Sequence, residues 1–155
     1  NEKSYTEAKE AVTAYMHSNA EDARAWKFLG FIAEQLGDLP AANNAYRQAW
    51  DLAKWNDLGI LSGWLSVRLR GKKPLSVDEQ VEMDHLLDTY AAAIASNTHF
   101  ITLTGTVEDY QAVAAQLGRF FRKDAARYRE KAEKLLLLAQ NIRTSFQMQT
   151  IGKLW

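Results

Sequence analysis

Few residues in this chain are spaced for chemistry, and the best-spaced pair is Glu82 and His85. A glutamate and a histidine three positions apart on a helix project from one face, which is the ligand arrangement of di-iron helical bundles. Such a centre needs two of these motifs and further inward-facing glutamates, but the sequence has no second Glu-x-x-His. We therefore predict an ordinary surface pair here and no metal site.

The sequence also lacks the motifs of nucleophilic catalysis and of phosphate binding. The chain contains no cysteine, which excludes disulfides and thiolate chemistry. Its sequence has no glycine-rich phosphate loop, no nucleophile elbow and no pair of carboxylates at a meaningful spacing. We predict that the protein is not an enzyme and that it needs no cofactor.

The charged residues balance, with 19 Lys and Arg against 19 Asp and Glu. A neutral chain has no net field to attract nucleic acid or an anionic membrane surface, so neither is an expected partner. The run 68–73 is locally basic, with four positive charges in six residues, and it could touch phosphate or an acidic partner. Because cations also complement a helix C-terminus, we predict a solvated helix end there. The sequence has no apolar run of about 18 residues, so membrane insertion is not expected.

The elements that must position the side chains are helices. Helix-favouring residues dominate the 155-residue chain, which has only eight glycines and two prolines. We predict one all-α domain over residues 1–155 with seven helices, at 5–17, 23–36, 40–53, 56–70, 77–96, 107–122 and 125–146. Segment 97–105 alternates apolar and threonine residues, but no second such run could pair with it, so we predict an ordered loop.

Start and stop signals set these helix boundaries. Capping boxes are indicated by Ser4 with Glu7 and Ser76 with Glu79, and weaker versions by Asn19 with Asp22 and Thr106 with Asp109. The stop signals are Gly37-Asp38, the segment 71–74 and Gly105. The short connections between helices favour antiparallel neighbours.

Residues 23–54 have a spacing that an ordinary helical hairpin need not have. The residues that define it are Trp26, Leu29, Gly30, Ala33, Gly37, Asp38, Ala42, Tyr46 and Ala49. This pattern resembles a tetratricopeptide repeat, with Lys54 where that family often has proline. The small Gly30 and Ala42 suit a close crossing of two helices, and the large Trp26 and Tyr46 suit interdigitation between neighbouring hairpins.

The flanking segments match the repeat only in degenerate form. Segment 6–19 resembles the second helix of a preceding unit, 56–70 and 77–96 resemble the next pair, and 107–122 and 125–146 resemble the last. The resemblance implies antiparallel hairpins stacked as a right-handed superhelix with a concave groove. It also implies a protein-interaction scaffold, because this family shares no catalytic residues.

The resemblance implies that first-helix positions line the groove. In the three units these positions are Arg24, Lys27, Phe31 and Glu34, then Asn56, Gly59, Gly63 and Ser66, then Ala112, Ala115, Arg119 and Arg122. Four of the twelve are basic and one is acidic, so we predict a groove that binds a protein or an acidic peptide. The predicted partner-binding residues are Arg24, Lys27, Phe31, Arg119 and Arg122. The same cations also fit an ordinary solvated helix face.

Other interpretations stay open. The family's clamp for a C-terminal carboxylate is not expected, since Phe31 stands where asparagine is needed and Gly59 and Gly63 offer no donors. The chain could instead be a structural segment of a longer repeat array or a homo-oligomer. An apolar tail that needs a covering surface favours this, formed by Phe146, Met148, Ile151, Leu154 and Trp155. A small-molecule domain would show a closed pocket around Gly59, Gly63 and Trp64.

Overall fold

The computed structural model describes residues 1–53, 57–96 and 105–154, with side chains through residue 143 and that of Met148. Within these ranges the chain forms α-helices and one short 3-10 helix, and no β-strand. The helices are α1 (Glu2–Met16), α2 (Ala23–Gln35), α3 (Leu39–Leu52), α4 (Leu58–Arg70), α5 (Val77–Ala95), α6 (Val107–Phe120) and α7 (Ala125–Leu154), with the 3-10 turn at Arg122–Asp124. The predicted all-α class with seven helices is confirmed for the described residues.

Two of the predicted capping boxes are confirmed. At the start of α5, the Ser76 hydroxyl accepts from the Glu79 amide at 3.1 Å, and the Glu79 carboxylate accepts from the Ser76 amide at 2.9 Å. Thr106 and Asp109 make the same reciprocal pair at the start of α6, both at 3.1 Å. Each box satisfies two amides that the first helical turn would leave unpaired.

The first two helices are capped by residues other than those predicted, although α2 begins at Ala23 as predicted. Asn1 caps α1, since its side chain accepts from the amide of Ser4 at 3.1 Å, so Ser4 lies inside the first turn. Asp22, and not Asn19, caps α2 by accepting from the amide of Arg24 at 3.0 Å. The Asn19 side chain instead donates a hydrogen bond to the Tyr15 carbonyl in the last turn of α1 at 3.0 Å.

At two of the predicted stop signals, the helix is followed by a residue in the left-handed backbone conformation. Gly37 ends α2 at a φ of 79°, and the amide of Asp38 donates to the Ala33 carbonyl at 2.9 Å, which is a Schellman closure. After α4 the left-handed residue is Lys72, with a φ of 56°, and not Gly71. Helix α4 ends at Arg70 as predicted, but the left-handed position falls one residue after the glycine. A non-glycine side chain in this conformation is strained.

The helices do not all pack as pairs of sequence neighbours, as a regular series of hairpins would. The closely packed pairs are α1 with α2, α2 with α3, α3 with α4, α4 with α6, and α6 with α7. The backbones of α4 and α5 stay more than 8 Å apart, so these two are not the close neighbours predicted. The bulky side chains of Met83, Leu87 and Tyr90 fill the space between α5 and the rest of the core.

Polar contacts fasten α5 to α7. The Asp84 carboxylate accepts from the Tyr128 hydroxyl at 2.5 Å and from Arg127 at 3.1 Å. One turn further along α5, Asp88 pairs with Lys131. Two of the acidic residues of α5 are thus ion-paired with α7.

The last helix is longer than predicted. It runs to Leu154 instead of ending near 146, and its 30 residues make a rod about 45 Å long. The side chain of Met148 is exposed. The other side chains of the predicted apolar tail lie outside the described residues, as do segment 97–104 and residues 54–56.

None of the described helices combines the length and the apolar character that a membrane span needs.

Candidate functional site

A cavity of about 650 Å³ lies between α2 and α4, and α3 and α6 each add one residue to its wall. Its lining comprises Arg24, Lys27, Phe28, Phe31 and Glu34 from α2, Gly59, Ser62, Gly63 and Ser66 from α4, Tyr46 from α3 and Gln116 from α6. Three of the five predicted partner-binding residues, Arg24, Lys27 and Phe31, are therefore brought together.

The other two predicted residues lie away from this cavity. Gln116 is the α6 residue that reaches it, and its side-chain amide donates to the Ser62 carbonyl at 3.0 Å. Arg119 is exposed almost one turn further along α6. The helix then ends at Phe120, two residues before the predicted boundary, so Arg122 falls in the 3-10 turn. Among the further predicted groove positions, Asn56 lies outside the described residues.

The position of the Tyr46 ring beside the cavity depends on two glycines, Gly63 of α4 and Gly30 of α2. Tyr46 reaches from α3 into the space between α2 and α4. A Cβ atom at Gly63 would lie 2.6 Å from the Tyr46 ring, and one at Gly30 would lie 3.0 Å from it. Real Cβ atoms do not approach ring carbons to 2.6 Å, so glycine at 63 allows this ring to lie between the two helices.

A carboxylate at one end of the cavity is held by three donors. The Tyr46 hydroxyl donates to Oε1 of Glu34 at 3.3 Å, while Ser66 and Arg70 donate to Oε2 at 3.2 and 3.3 Å. The Glu34 side chain is only 12% exposed. Burial, and then the neighbouring Glu34 charge, raises the pKa of Tyr46, so its hydroxyl stays protonated and keeps donating. The negative charge in the lining is thus already compensated by Arg70.

The two cations of the cavity have looser partners. Lys27 Nζ lies 4.0 Å from Asp57, whose carboxylate also caps α4 through the amides of Gly59 and Ile60. Arg24 Nε lies 3.5 Å from Asp22, and the Arg24 side chain is 92% exposed. Both ammonium and guanidinium groups therefore keep hydrogen-bonding capacity toward solvent or a ligand.

The apolar wall of the cavity is a pair of exposed aromatic rings. Phe28 and Phe31 lie one turn apart on α2, with centroids 6.5 Å apart and planes 17° apart. The two side chains are 47% and 43% exposed. Tyr5 of α1 meets Phe31 edge-on at 6.2 Å. Phe28 was missed in the sequence, although its spacing of three from Phe31 puts both rings on one helix face.

The other chemistry-bearing residues lie elsewhere. Glu82 and His85 are both exposed on α5, beside an apolar depression of about 400 Å³. No group of three potential metal ligands occurs in the described part of the chain. In the basic run, Arg68 pairs with Glu79 at 2.8 Å and Arg70 with Glu34, while Lys72 and Lys73 are exposed.

The cavity is also not the closed pocket that a small-molecule domain would show. Trp64 does not line it and is buried, with its indole N–H donating to Asn43 at 2.9 Å. The exposed rings of Phe28 and Phe31 leave the cavity open along α2. The fold and this site together define an all-α protein of packed helices with an open, aromatic-walled groove.

Comparison with known proteins adds no relative: no family model, no curated protein and no solved structure matches the chain. Its function is therefore inferred from the groove itself.

Proposed function

We propose that this protein is a non-catalytic interaction module that binds a peptide or a partner helix in the groove between α2 and α4. The observation that carries the proposal is the stacked, half-exposed pair Phe28 and Phe31 above a glycine floor at Gly59 and Gly63. Covering both rings would contribute on the order of 2 kcal/mol, because each still exposes nearly half of its surface. Such an aromatic pair beside a cavity is typical of a binding anchor.

The helical hairpin of α2 and α3 supports a tetratricopeptide-like arrangement. Ala33, Ala42 and Ala49 are fully or nearly fully buried, as expected of small residues between closely packed helices. Tyr46 lies between α2 and α4, the first helices of two successive units. A stack of this kind presents first-helix residues on a concave face, and Lys27 and Phe31 of the groove are first-helix residues in the proposed arrangement.

The charges of the groove favour a partner with a carboxylate. Glu34 already accepts three hydrogen bonds, so it offers little to a ligand. Arg24 and Lys27 retain donors and lie on the same face of α2 as Phe28 and Phe31. We infer that the bound segment combines apolar side chains with an acidic one.

Selection of a phage-displayed random peptide library on the intact chain tests this proposal. Peptides recovered on the wild type should bind the double variant F28A/F31A at least tenfold more weakly, since both ring contacts are lost. The matched control is L136A/L137A, which removes two exposed leucines from α7. Equal affinity for the wild type and F28A/F31A would refute the proposed groove.

A second candidate function is self-assembly, and a specific feature of α7 favours it. Leu136, Leu137 and Met148 are exposed along this helix, with Leu137 59% accessible. Apolar side chains in such numbers on one helix suit an interface with another copy or a longer array. Light scattering of the wild type and Leu137→Lys discriminates: a wild type that stays monomeric at high concentration argues against assembly.

A further inference from the structure

Gly59 is the second residue of α4, and it lines the groove. Glycine is a poor residue for a helix, because it loses the most backbone freedom on folding. The backbone does not require glycine at this position, since the positive-φ glycines of the described chain are Gly37 and Gly105. What distinguishes glycine at position 59 is therefore the space that its missing side chain leaves.

That space is taken by the end of the Lys27 side chain, which reaches across from α2. A Cβ atom at Gly59 would lie 2.6 Å from Lys27 Nζ, closer than real Cβ atoms approach other heavy atoms. It would also lie 3.2 Å from Asp57 Oδ1 and 3.4 Å from Asp109 Oδ2. The ammonium and the two carboxylates thus converge on one point over the first turn of α4.

Both carboxylates are held in place by helix amides. Asp57 Oδ1 accepts from the amides of Gly59 and Ile60 at 2.9 and 3.1 Å. Asp109 Oδ2 accepts from the Thr106 amide at 3.1 Å. One positive and two negative formal charges therefore meet here, and this corner of the groove has no net positive charge to attract an acidic side chain.

The Lys27 ammonium still keeps its hydrogen-bonding capacity. Its ion pair with Asp57 has an Nζ–Oδ1 distance of 4.0 Å, which is beyond hydrogen-bond range, and it donates to no residue that the structure describes. The side chain is 43% exposed and lines the groove, so a ligand can reach it. An ammonium with unfilled donors and no net positive field around it suits a neutral acceptor, and every peptide carries one in its main-chain carbonyl.

We propose that Gly59 is a positioning residue of the groove: it lets Lys27 lie across α4, where the ammonium donates to a main-chain carbonyl of the bound segment. This inference rests on the proposed function, because the segment is the one that Phe28 and Phe31 anchor. It leaves the acidic side chain of the partner to Arg24, whose side chain is 92% exposed. Lys27 then contributes affinity for peptides in general, and Arg24 the preference for an acidic one.

Gly59→Ala tests the positioning, because its Cβ would displace the free end of a flexible side chain. Alanine is the better helix former, so thermal unfolding should show a variant at least as stable as the wild type. This variant should bind the tightest peptide from the phage-displayed random library about tenfold more weakly, as expected for one lost hydrogen bond to a charged group. Gly152→Ala makes the same change in α7, outside the groove lining, and should leave the affinity unchanged.

A double-variant cycle shows whether Gly59 acts through Lys27. Lys27→Met removes the ammonium and keeps most of the side-chain stem, and it should weaken binding about as much as G59A. Adding G59A to K27M should then cause no further loss. A further loss would mean that the alanine acts through the Asp57 cap or through α4 itself, and it would refute the positioning role.

Alanine scanning of the selected peptide separates a main-chain contact from a side-chain contact. K27M should weaken every single-alanine peptide by the same factor, including the one that lacks its acidic residue. A smaller factor for that peptide would place the acidic side chain at Lys27 and refute the carbonyl contact. If F28A/F31A weakens binding while G59A and K27M do not, the groove stands and this inference is wrong. If none of these variants changes the affinity, the proposed function fails as well.

Discussion

Gly63 of α4 and Tyr46 of α3 face each other so closely that a Cβ atom at position 63 would lie 2.6 Å from the tyrosine ring. The ring fills the space between α2 and α4, and its hydroxyl reaches Glu34 at the end of the groove. The floor of the groove and its polar end thus depend on one side chain that only a glycine can accommodate.

Substitution of Gly63 by alanine should destabilise the fold. Because the Cβ would lie only 2.6 Å from the ring, the clash with Tyr46 costs about 2–3 kcal/mol, in the upper part of the overpacking range. The better helix propensity of alanine recovers about 1 kcal/mol. Denaturant unfolding should therefore give a net loss of about 1–2 kcal/mol. Gly152→Ala is the matched control, since nothing lies within 4 Å of its Cβ position, and it should be neutral or slightly stabilising. A Gly63→Ala variant as stable as the wild type would contradict this packing.

Replacing Lys72 by glycine should stabilise the protein. Lys72 adopts a φ of 56° after α4, and a side chain in the left-handed region costs about 1 kcal/mol relative to glycine. Thermal unfolding should show a gain of about 0.5–1 kcal/mol. Lys73 does not have a positive φ, so Lys73→Gly should not stabilise the protein and serves as the control.

The buried hydroxyl of Tyr46 makes stability fall at alkaline pH. Burial and Glu34 raise its pKa above the ordinary 10.0, so the folded state holds this proton more tightly than the unfolded state. Its stabilising contribution is complete below pH 10 and is lost as the pH rises from there toward the folded-state pKa. Tyr46→Phe should therefore lose less stability than the wild type between pH 9 and 11. Parallel pH curves for the two proteins would contradict the assignment.

The attachment of α5 should depend on Asp84. Its carboxylate accepts from both Tyr128 and Arg127, and the backbone of α5 stays away from that of α4. Asp84→Asn weakens both hydrogen bonds, which should cost about 1 kcal/mol. Amide hydrogen exchange should then accelerate in Val77–Ala95 while that of Ala23–Gln35 is unchanged. An equal acceleration in both helices would mean that α5 is not a separately held element.

Local signals in the sequence predicted most helix boundaries because they act within a few residues. The Ser76–Glu79 box and the turn at Gly37 are determined by neighbouring backbone groups, and both formed as predicted. The separation of α4 from α5 could not be predicted from local sequence. It depends on how Met83 and its neighbours on α5 pack against core residues from distant parts of the chain.

The part of the candidate site that lies on one helix was predictable, because helical periodicity is a local property of the sequence. Lys27 and Phe31 lie on one face of a single helix, so helical periodicity alone groups them. The position of Arg119 depends on the register of α6 against α4, and in this register Gln116 contacts the Ser62 carbonyl and lines the cavity. The neutralisation of Glu34 by Arg70 joins residues 36 positions apart, which no local pattern reveals.

The most direct test of the groove is an NMR titration of the isotope-labelled chain with a peptide selected on it. The largest chemical-shift changes are expected at the side chains of Phe28 and Phe31 and at the amides of Gly59 and Gly63. Changes concentrated on α7 around Leu137, with these four residues unaffected, would contradict the account.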